Sequence, residues 1–129
     1  MELSAVGPAS RVALLVIDMQ RDFLDPRGYA AQAGLDIAPL QAAIAPVRRL
    51  LDAARAAGMM IVHTREGHVP DLSDCPPYKL ARSCNAGAEI GSPDLHDAAL
   101  RIIAIEGGIF GSVSSSEKVA AELAGGIVA

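Results

Sequence analysis

The sequence has few aromatic residues, few cysteines and no cluster of basic residues. Only 3% of its 129 residues are aromatic, and tryptophan is absent. Because hydrophobic residues still make up 51% of the chain, a core has to be built from alanine, valine, isoleucine and leucine. The net charge of −4 and the lack of a basic run argue against a nucleic-acid partner.

Long apolar segments are also missing. The N-terminus, MELSAVGPASR, has neither the basic region nor the apolar stretch of a signal peptide, and no apolar run approaches the roughly 20 residues of a membrane span. Two cysteines, Cys75 and Cys84, are too few for a disulfide scaffold and indicate free thiols in a reducing compartment. We therefore predict a cytoplasmic protein without a membrane partner. The length predicts one domain, residues 11–124, after a tail of residues 1–10.

The first half of the sequence predicts a strand, a helix and a second strand. The apolar run VALLVI (12–17) predicts a buried strand, and residues 21–38, rich in turn residues, predict a loop. An amphipathic helix follows, with Pro46 near its first turn and Gly58 at its end. The run MMIVHT (59–64) predicts the second strand. This order is typical of a right-handed βαβ unit with parallel strands.

A long irregular segment, residues 65–91, separates this unit from the rest of the chain. Loops of this length in small domains are usually functional or disordered. The next segment, SPDLHDAALRIIAIEGG, predicts a helix with Ser92 as its N-cap and Pro93 at the first helical position. We expect Gly107 and Gly108 to end that helix.

The last part of the chain predicts one more strand and one more helix. Residues 109–113 have the composition of a short strand, and residues 117–123 predict a helix whose capping box pairs Ser114 with Glu117. Capping also explains the serine run at 114–116 better than a nucleophile does. The whole pattern predicts an α/β fold with an open, mainly parallel sheet.

Polar residues follow both strands of the predicted βαβ unit. Asp18 comes after the first strand, and Arg65, Glu66 and His68 come after the second. Ligands of open parallel sheets bind beyond the carboxyl ends of the strands, so both segments face one crevice. The alternative is that Asp18 is a turn residue bonded to nearby amides. Glu66 and His68 could share a metal ion, but a zinc site needs a third protein ligand, so we predict no metal.

The two cysteines are weaker candidates for catalytic residues. Cys75 and Cys84 lie in the long loop near Lys79 and Arg82, whose charges favour a thiolate. Neither cysteine stands at a turn from a strand into a helix, where a nucleophile is held rigidly. We interpret both as ordinary loop thiols.

Several motifs resemble the isochorismatase-like cysteine hydrolase family. They are VALLVIDMQRDF (12–23), LLDAARAAGMMIVHTREGH (50–68) and PDLSDCPPYKLARS (70–83). The segment SPDLHDAALRIIAIEGGIFGSVSSSEKVAAEL (92–123) resembles the C-terminal end of the same family. The nearest branch is that of the ureidoacrylate and biuret amidohydrolases.

The resemblance implies a fold, a reaction and site residues. The implied fold is a Rossmann-like parallel sheet with helices on both faces, often oligomeric. The implied reaction is hydrolysis of a C–N bond in a small ureido or amide substrate by an Asp–Lys–Cys triad, without a cofactor. Asp18 matches the aspartate of the triad. Gln20 and Phe23 match positions beside the pocket, and Arg65 and His68 match substrate-facing loop positions.

The sequence departs from the family at the junction Gly91–Ser92. The segments that carry the family's lysine and cysteine are missing there, so the resemblance implies an internally truncated domain. Three interpretations follow: a hydrolase with impaired activity, a non-catalytic remnant, or an enzyme in which Cys75 or Cys84 has become the nucleophile. The remnant would pair an unpaired, apolar strand edge with a full-length relative or with itself, giving a mixed oligomer or a homo-oligomer.

Overall fold

The computed structural model describes residues 8–77, 93–107 and 111–125. In chain order these residues form a 3₁₀ turn (Ala9–Arg11), β1 (Ala13–Val16), α1 (Arg21–Leu24), α2 (Tyr29–Gln32), α3 (Ala38–Ala42), α4 (Ile44–Ala56), β2 (Met60–His63), α5 (Pro93–Ala104), a 3₁₀ turn (Ile105–Gly107) and α6 (Ser116–Ala124). The predicted junction at Gly91–Ser92, the predicted N-cap Ser92, and Lys79 and Cys84 lie outside the described residues.

The two strands pair in parallel. Ala13 lies opposite Met60 and Val16 opposite His63, with α4 between the strands in the sequence. Parallel neighbours need a crossover connection, and the amphipathic helix supplies it. The predicted βαβ unit and the α/β fold with an open parallel sheet are therefore confirmed, with each strand slightly shorter than its apolar run.

Helix α4 begins two residues before Pro46 and ends where the sequence predicts. Pro46 falls in the first turn, where a missing N–H costs no intrahelical hydrogen bond. At the other end, the N–H of Met59 donates to Ala54 O at 3.0 Å and the N–H of Gly58 donates to Arg55 O at 3.1 Å. These are the two hydrogen bonds of a Schellman motif, and Gly58 has the positive φ of 69° that the motif requires.

A small core forms between α4, α6 and one face of the sheet. Ala54 on α4 is fully buried, Val16 on β1 is 6% exposed and Leu123 on α6 is 5% exposed. An exposed ion pair between Arg49 Nη2 and Glu117 Oε1, at 3.0 Å, also joins α4 to α6. Exposed pairs of this kind contribute little to stability, so burial of apolar side chains holds the two helices together.

The opposite face of the sheet is apolar and exposed in the part of the chain that the structure describes. Its large side chains are Leu15, Ile17, Met60 and Val62, which are between 39% and 66% exposed. The alternation follows from strand geometry, because neighbouring side chains point to opposite faces. We call these four residues the open sheet face.

Residues 21–38 do not form the single loop that the sequence predicts. They contain α1, α2 and the first residue of α3. Pro26 and Gly28 mark the turn between α1 and α2, but each flanking segment closes one helical turn. Single turns leave little periodicity in a sequence, which is why the turn residues dominate the prediction.

The C-terminal predictions are corrected in three details. Helix α5 ends at Ala104, before the predicted glycines, and a 3₁₀ turn follows. Residues 111–113 are not in a strand, while residues 109–110 lie outside the described part. The N-cap of α6 is Ser115, whose Oγ accepts the N–H of Lys118 at 3.2 Å, so Ser114 is the wrong serine. None of the helices in the described ranges is both long and apolar enough to cross a bilayer.

Candidate functional site

The carboxyl ends of β1 and β2 bring two polar segments together. Asp18 lies two residues beyond β1, and Thr64 directly follows β2. The N–H of Thr64 donates to Val16 O at 3.0 Å, which extends the strand pairing by one hydrogen bond. Asp18 and Thr64 therefore lie side by side at the edge where open parallel sheets bind ligands.

Asp18 and Thr64 form two hydrogen bonds with each other. The N–H of Asp18 donates to Thr64 Oγ1 at 3.1 Å, and the Thr64 hydroxyl donates to Asp18 Oδ1 at 2.9 Å. Asp18 is half-buried and has a φ of 51°, a left-handed conformation that is uncommon outside glycine. The carboxylate is therefore held in place by a residue 46 positions away in the sequence.

A second reciprocal pair lies next to the first. Gln20 Nε2 donates to the carbonyl oxygen of Glu66 at 2.7 Å, and Gln20 Oε1 accepts the N–H of Glu66. Gln20 is also the residue before α1, and its carbonyl accepts the N–H groups of Phe23 and Leu24, both at 3.1 Å. The two pairs fix the loop after β1 against the loop after β2.

The other predicted site residues are placed less closely. Phe23 is half-buried in α1, and its backbone N–H donates to the carbonyl of Gln20. Arg65 is exposed between Thr64 and Glu66. The structure thus gathers Asp18, Gln20 and Arg65 at the strand ends, while the roles of all these residues stay predictions.

His68 packs beside Asp74, farther along the same loop. Its side chain is 23% exposed, and Nδ1 lies 3.3 Å from Asp74 Oδ1. The geometry does not make this contact a hydrogen bond, since neither ring nitrogen has a partner among the described residues. Asp74 Oδ1 instead accepts the N–H of Val69 at 3.1 Å.

The other histidines and Cys75 do not form a second site in the described ranges. His63 is exposed on β2, and His96 is exposed on α5. Cys75 is a half-buried free thiol in a turn, where its N–H donates to Leu72 O at 3.0 Å. Across the described residues, no three side chains of the His, Cys, Asp and Glu types gather closely enough to hold a metal ion.

Asp25 carries the clearest electrostatic shift near the site. Arg27 Nε and Nη2 donate to its two carboxylate oxygens, both at 3.1 Å, and the N–H of Arg27 donates to Oδ1 at 2.8 Å. These hydrogen bonds, with the positive charge of Arg27, lower the pKa of Asp25 from 3.8 to about 2. Asp25 caps α1 and so stabilises the turn after the candidate site, outside the pair of loops that hold Asp18.

A parallel βαβ unit with a hydrogen-bonded aspartate at its strand ends defines an α/β domain of the kind that binds ligands at that edge. The isochorismatase domain family matches residues 12–96, more than half of the chain, including β1, α4 and β2. The chain therefore belongs to the isochorismatase family, which confirms the resemblance seen in its motifs.

Several relatives are ureidoacrylate amidohydrolases. The chain is 44% identical over 59 residues to ureidoacrylate amidohydrolase RutB of Stutzerimonas stutzeri, covering 46% of this chain and 24% of that protein. It is 34% identical over 89 residues to the protein of the same name from Yersinia enterocolitica, covering 69% of this chain and 34% of that protein. A third such protein, from Rhizobium rhizogenes, is 41% identical over 58 residues, covering 45% of this chain and 24% of that protein. The chain thus spans between a quarter and about a third of these curated relatives.

Sequence reasoning missed Thr64, which contacts the candidate carboxylate directly. A signal was present, because Thr64 is the last residue of the predicted second strand. Residues that follow two paired parallel strands lie at the same edge of the sheet, so the ends of the two apolar runs could have been aligned. Whether Asp18 bonds to the side chain or to the backbone of Thr64 depends on the exact register of β1 and β2.

Proposed function

We propose that Asp18 is the proton-accepting carboxylate of an isochorismatase-family site for hydrolysis of a C–N bond in a small ureido or amide compound. The observation that carries the proposal is the fixed position of Asp18 at the carboxyl ends of the strands, with Thr64 hydrogen bonded to one carboxylate oxygen. A positioned carboxylate can accept a proton from an attacking nucleophile. The ureidoacrylate amidohydrolases among the relatives support this substrate class.

Four further residues belong to the proposal as substrate-binding residues: Gln20 and Phe23 beside the pocket, and Arg65 and His68 in the substrate-facing loop. Arg65 is exposed beside the Asp18–Thr64 pair and can offer a planar set of N–H donors to a ureido carbonyl or a carboxylate. The reaction needs no cofactor. The small number of cysteines favours the cytoplasm as its compartment.

The proposed activity is impaired in this chain. The family resemblance places the lysine and cysteine of the triad in segments that the sequence lacks, and the chain spans only 24% to 34% of its relatives. Removal of a catalytic nucleophile costs several orders of magnitude in rate. We expect turnover at least about 10³-fold slower than that of a full-length relative.

Ammonia release from ureidoacrylate and biuret by the purified chain, compared with a full-length ureidoacrylate amidohydrolase, tests the proposal. Asp18→Asn should abolish any residual hydrolysis. Asp22→Asn is the matched control, because Asp22 is an exposed carboxylate on α1, four residues away. Unchanged hydrolysis in Asp18→Asn would exclude a role for that carboxylate, and a rate equal to that of the full-length enzyme would contradict impairment.

The same assay addresses a repurposed thiol. If Cys75 or Cys84 has become the nucleophile, changing both to alanine should abolish the residual hydrolysis. Turnover that survives the double change in full rules this interpretation out.

The open sheet face favours a second candidate function, in which the chain is a non-catalytic partner of a full-length relative. Leu15, Ile17, Met60 and Val62 form an apolar surface, and parallel sheets normally have both faces covered. We commit to a full-length relative as the partner, because such a protein is about twice as long as this chain and contains segments that this chain lacks.

Co-expression followed by light scattering tests this second function. The chain should elute with the relative as one complex, and Leu15→Lys should dissociate it. Leu72→Lys is the control, since Leu72 is comparably exposed but lies in the loop after β2, outside the strands. A monomer in the presence of the relative contradicts the partner function, and assembly of the chain with itself alone replaces it with a homo-oligomer.

A further inference from the structure

The regular backbone hydrogen bonding between the two strands ends at Asp18. The N–H of Thr64 donates to Val16 O, as in a regular parallel ladder. If that ladder continued, the N–H of Asp18 would donate to the backbone carbonyl of Thr64. It donates instead to the hydroxyl Oγ1 of Thr64, so a side chain replaces the backbone acceptor at this position.

This replacement fixes the direction of the Thr64 hydroxyl proton. A threonine hydroxyl has one hydrogen to donate and two lone pairs to accept with. One lone pair accepts the N–H of Asp18, and the single hydrogen is donated to Asp18 Oδ1 at 2.9 Å. Oδ1 is therefore an acceptor whenever the pair is intact.

The backbone of Asp18 supports the same arrangement. Its φ of 51° turns the chain out of the strand, so that the N–H and the carboxylate of one residue both reach the same hydroxyl. Left-handed conformations in residues other than glycine concentrate at functional sites, where the surroundings hold them in place. The neighbouring Gln20–Glu66 pair is part of those surroundings.

We propose that Thr64 is a positioning residue that reserves Oδ1 of Asp18 as a permanent acceptor and leaves Oδ2 as the oxygen that takes a proton. The inference rests on the proposed function. When Asp18 accepts a proton from the S–H or O–H of a nucleophile, an O–H bond forms at Oδ2 and the nucleophile keeps the electron pair of the broken bond. Oδ1 then becomes the carbonyl oxygen of the neutral acid and still accepts from Thr64, so the carboxylate cycles without losing its position.

Nuclear magnetic resonance on the whole chain tests this role without requiring turnover. The probes are the side-chain carboxyl carbon of Asp18, labelled with ¹³C, and hydrogen–deuterium exchange of the Asp18 amide. Thr64→Val keeps the shape of the side chain but removes its donor and acceptor, whereas Thr64→Ser keeps both. We expect Thr64→Val to shift the carboxyl resonance and to speed exchange of the Asp18 amide about 10-fold or more. Thr64→Ser should restore both to near wild-type values.

The controls separate this role from general stability. Circular dichroism establishes that each variant is folded, and Thr64→Ala takes the place of Thr64→Val if the valine variant does not fold. Val69→Ala, a change in the same loop but outside the pair, should leave the Asp18 resonance in place. The inference is overturned if a folded Thr64→Val or Thr64→Ala variant keeps the wild-type Asp18 carboxyl resonance and the wild-type exchange rate of the Asp18 amide. It is also overturned if Thr64→Ser changes both quantities as much as Thr64→Val does.

Hydrolysis, where it is measurable, adds a readout that distinguishes this inference from the proposed function. Thr64→Val should lower kcat at least about 10-fold with little change in KM, and Thr64→Ser should recover it. Hydrolysis that is indifferent to Asp18→Asn refutes the proposed function. Hydrolysis that needs Asp18 but is indifferent to Thr64→Val refutes the positioning role alone.

Discussion

Gln20 and Glu66 are joined by a side-chain amide that is hydrogen bonded to both backbone groups of one residue. Nε2 of Gln20 donates to the Glu66 carbonyl at 2.7 Å, and Oε1 accepts the Glu66 N–H. An amide matches a backbone donor and acceptor in this way, whereas a carboxylate or an ammonium group cannot. The pair holds the loop that carries Asp18 against the loop that carries Thr64.

Loss of this pair should destabilise the domain more than loss of a single exposed hydrogen bond. Gln20→Ala removes two hydrogen bonds and should lower the free energy of unfolding by about 1–3 kcal/mol. Gln32→Ala is the matched control, because Gln32 Nε2 makes one exposed bond, to Arg27 O at 2.7 Å. Urea denaturation measures the free energy of unfolding of both variants. Equal decreases in the two variants would contradict the role of Gln20 in holding the two loops together.

Gly28 should not tolerate a side chain. A Cβ at this position would lie about 2.4 Å from Arg21 O and 2.7 Å from Asp22 O, which are rigid backbone atoms of α1. Gly28→Ala should therefore cost about 1–3 kcal/mol or more by forcing α1 away from α2. Gly67→Ala is the control, since a Cβ there meets no atom within 4 Å. Thermal unfolding of the two variants measures the difference. A Gly28→Ala variant as stable as the wild type would falsify the close packing of Gly28 against α1.

The cap of α6 should depend on Ser115 and not on Ser114. Only Ser115 accepts the N–H of Lys118, at 3.2 Å, and removal of an N-cap hydroxyl typically costs about 0.5–2 kcal/mol. Ser115→Ala should lower the free energy of unfolding by that amount, while Ser114→Ala should leave it within about 0.5 kcal/mol of the wild type. Denaturant titration of the two single variants compares them directly, and the reverse order would restore the capping box predicted from the sequence.

The turn after α1 should respond to acid. The pKa of Asp25 is lowered to about 2 in the folded chain, because Arg27 donates hydrogen bonds to the carboxylate. Its ordinary value is 3.8, so the stabilising contribution of this carboxylate is complete above about pH 4 and is lost as the pH falls towards 2.

Titration of the Asp25 carboxyl carbon by nuclear magnetic resonance checks this acid response. The midpoint should lie near 2 in the wild type and move back towards 3.8 in Arg27→Ala. Arg48→Ala, which removes an exposed arginine from α4, should leave the midpoint unchanged. A wild-type midpoint close to 3.8 would show that the Arg27 interaction is not formed in solution.

The sequence predicts some elements well because they depend on local pattern. Helix α4 has an amphipathic stripe, a proline in its first turn and a glycine at its C-terminus, and all three act within a few residues of one another. The one-turn helices α1 and α2 were missed for the same reason, since a single turn is too short to show a helical period.

The sequence by itself determined the βαβ unit, the family and the location of Asp18 beyond a buried strand, because apolar periodicity and short motifs are local properties of the chain. Only the tertiary structure decided that Thr64 holds Asp18 and that Gln20 holds Glu66, since each pair joins residues 46 positions apart. Such contacts depend on the register of two strands to within one residue. The exposure of Leu15, Ile17, Met60 and Val62 was likewise a tertiary result, because an apolar run does not reveal which of its faces the rest of the chain covers.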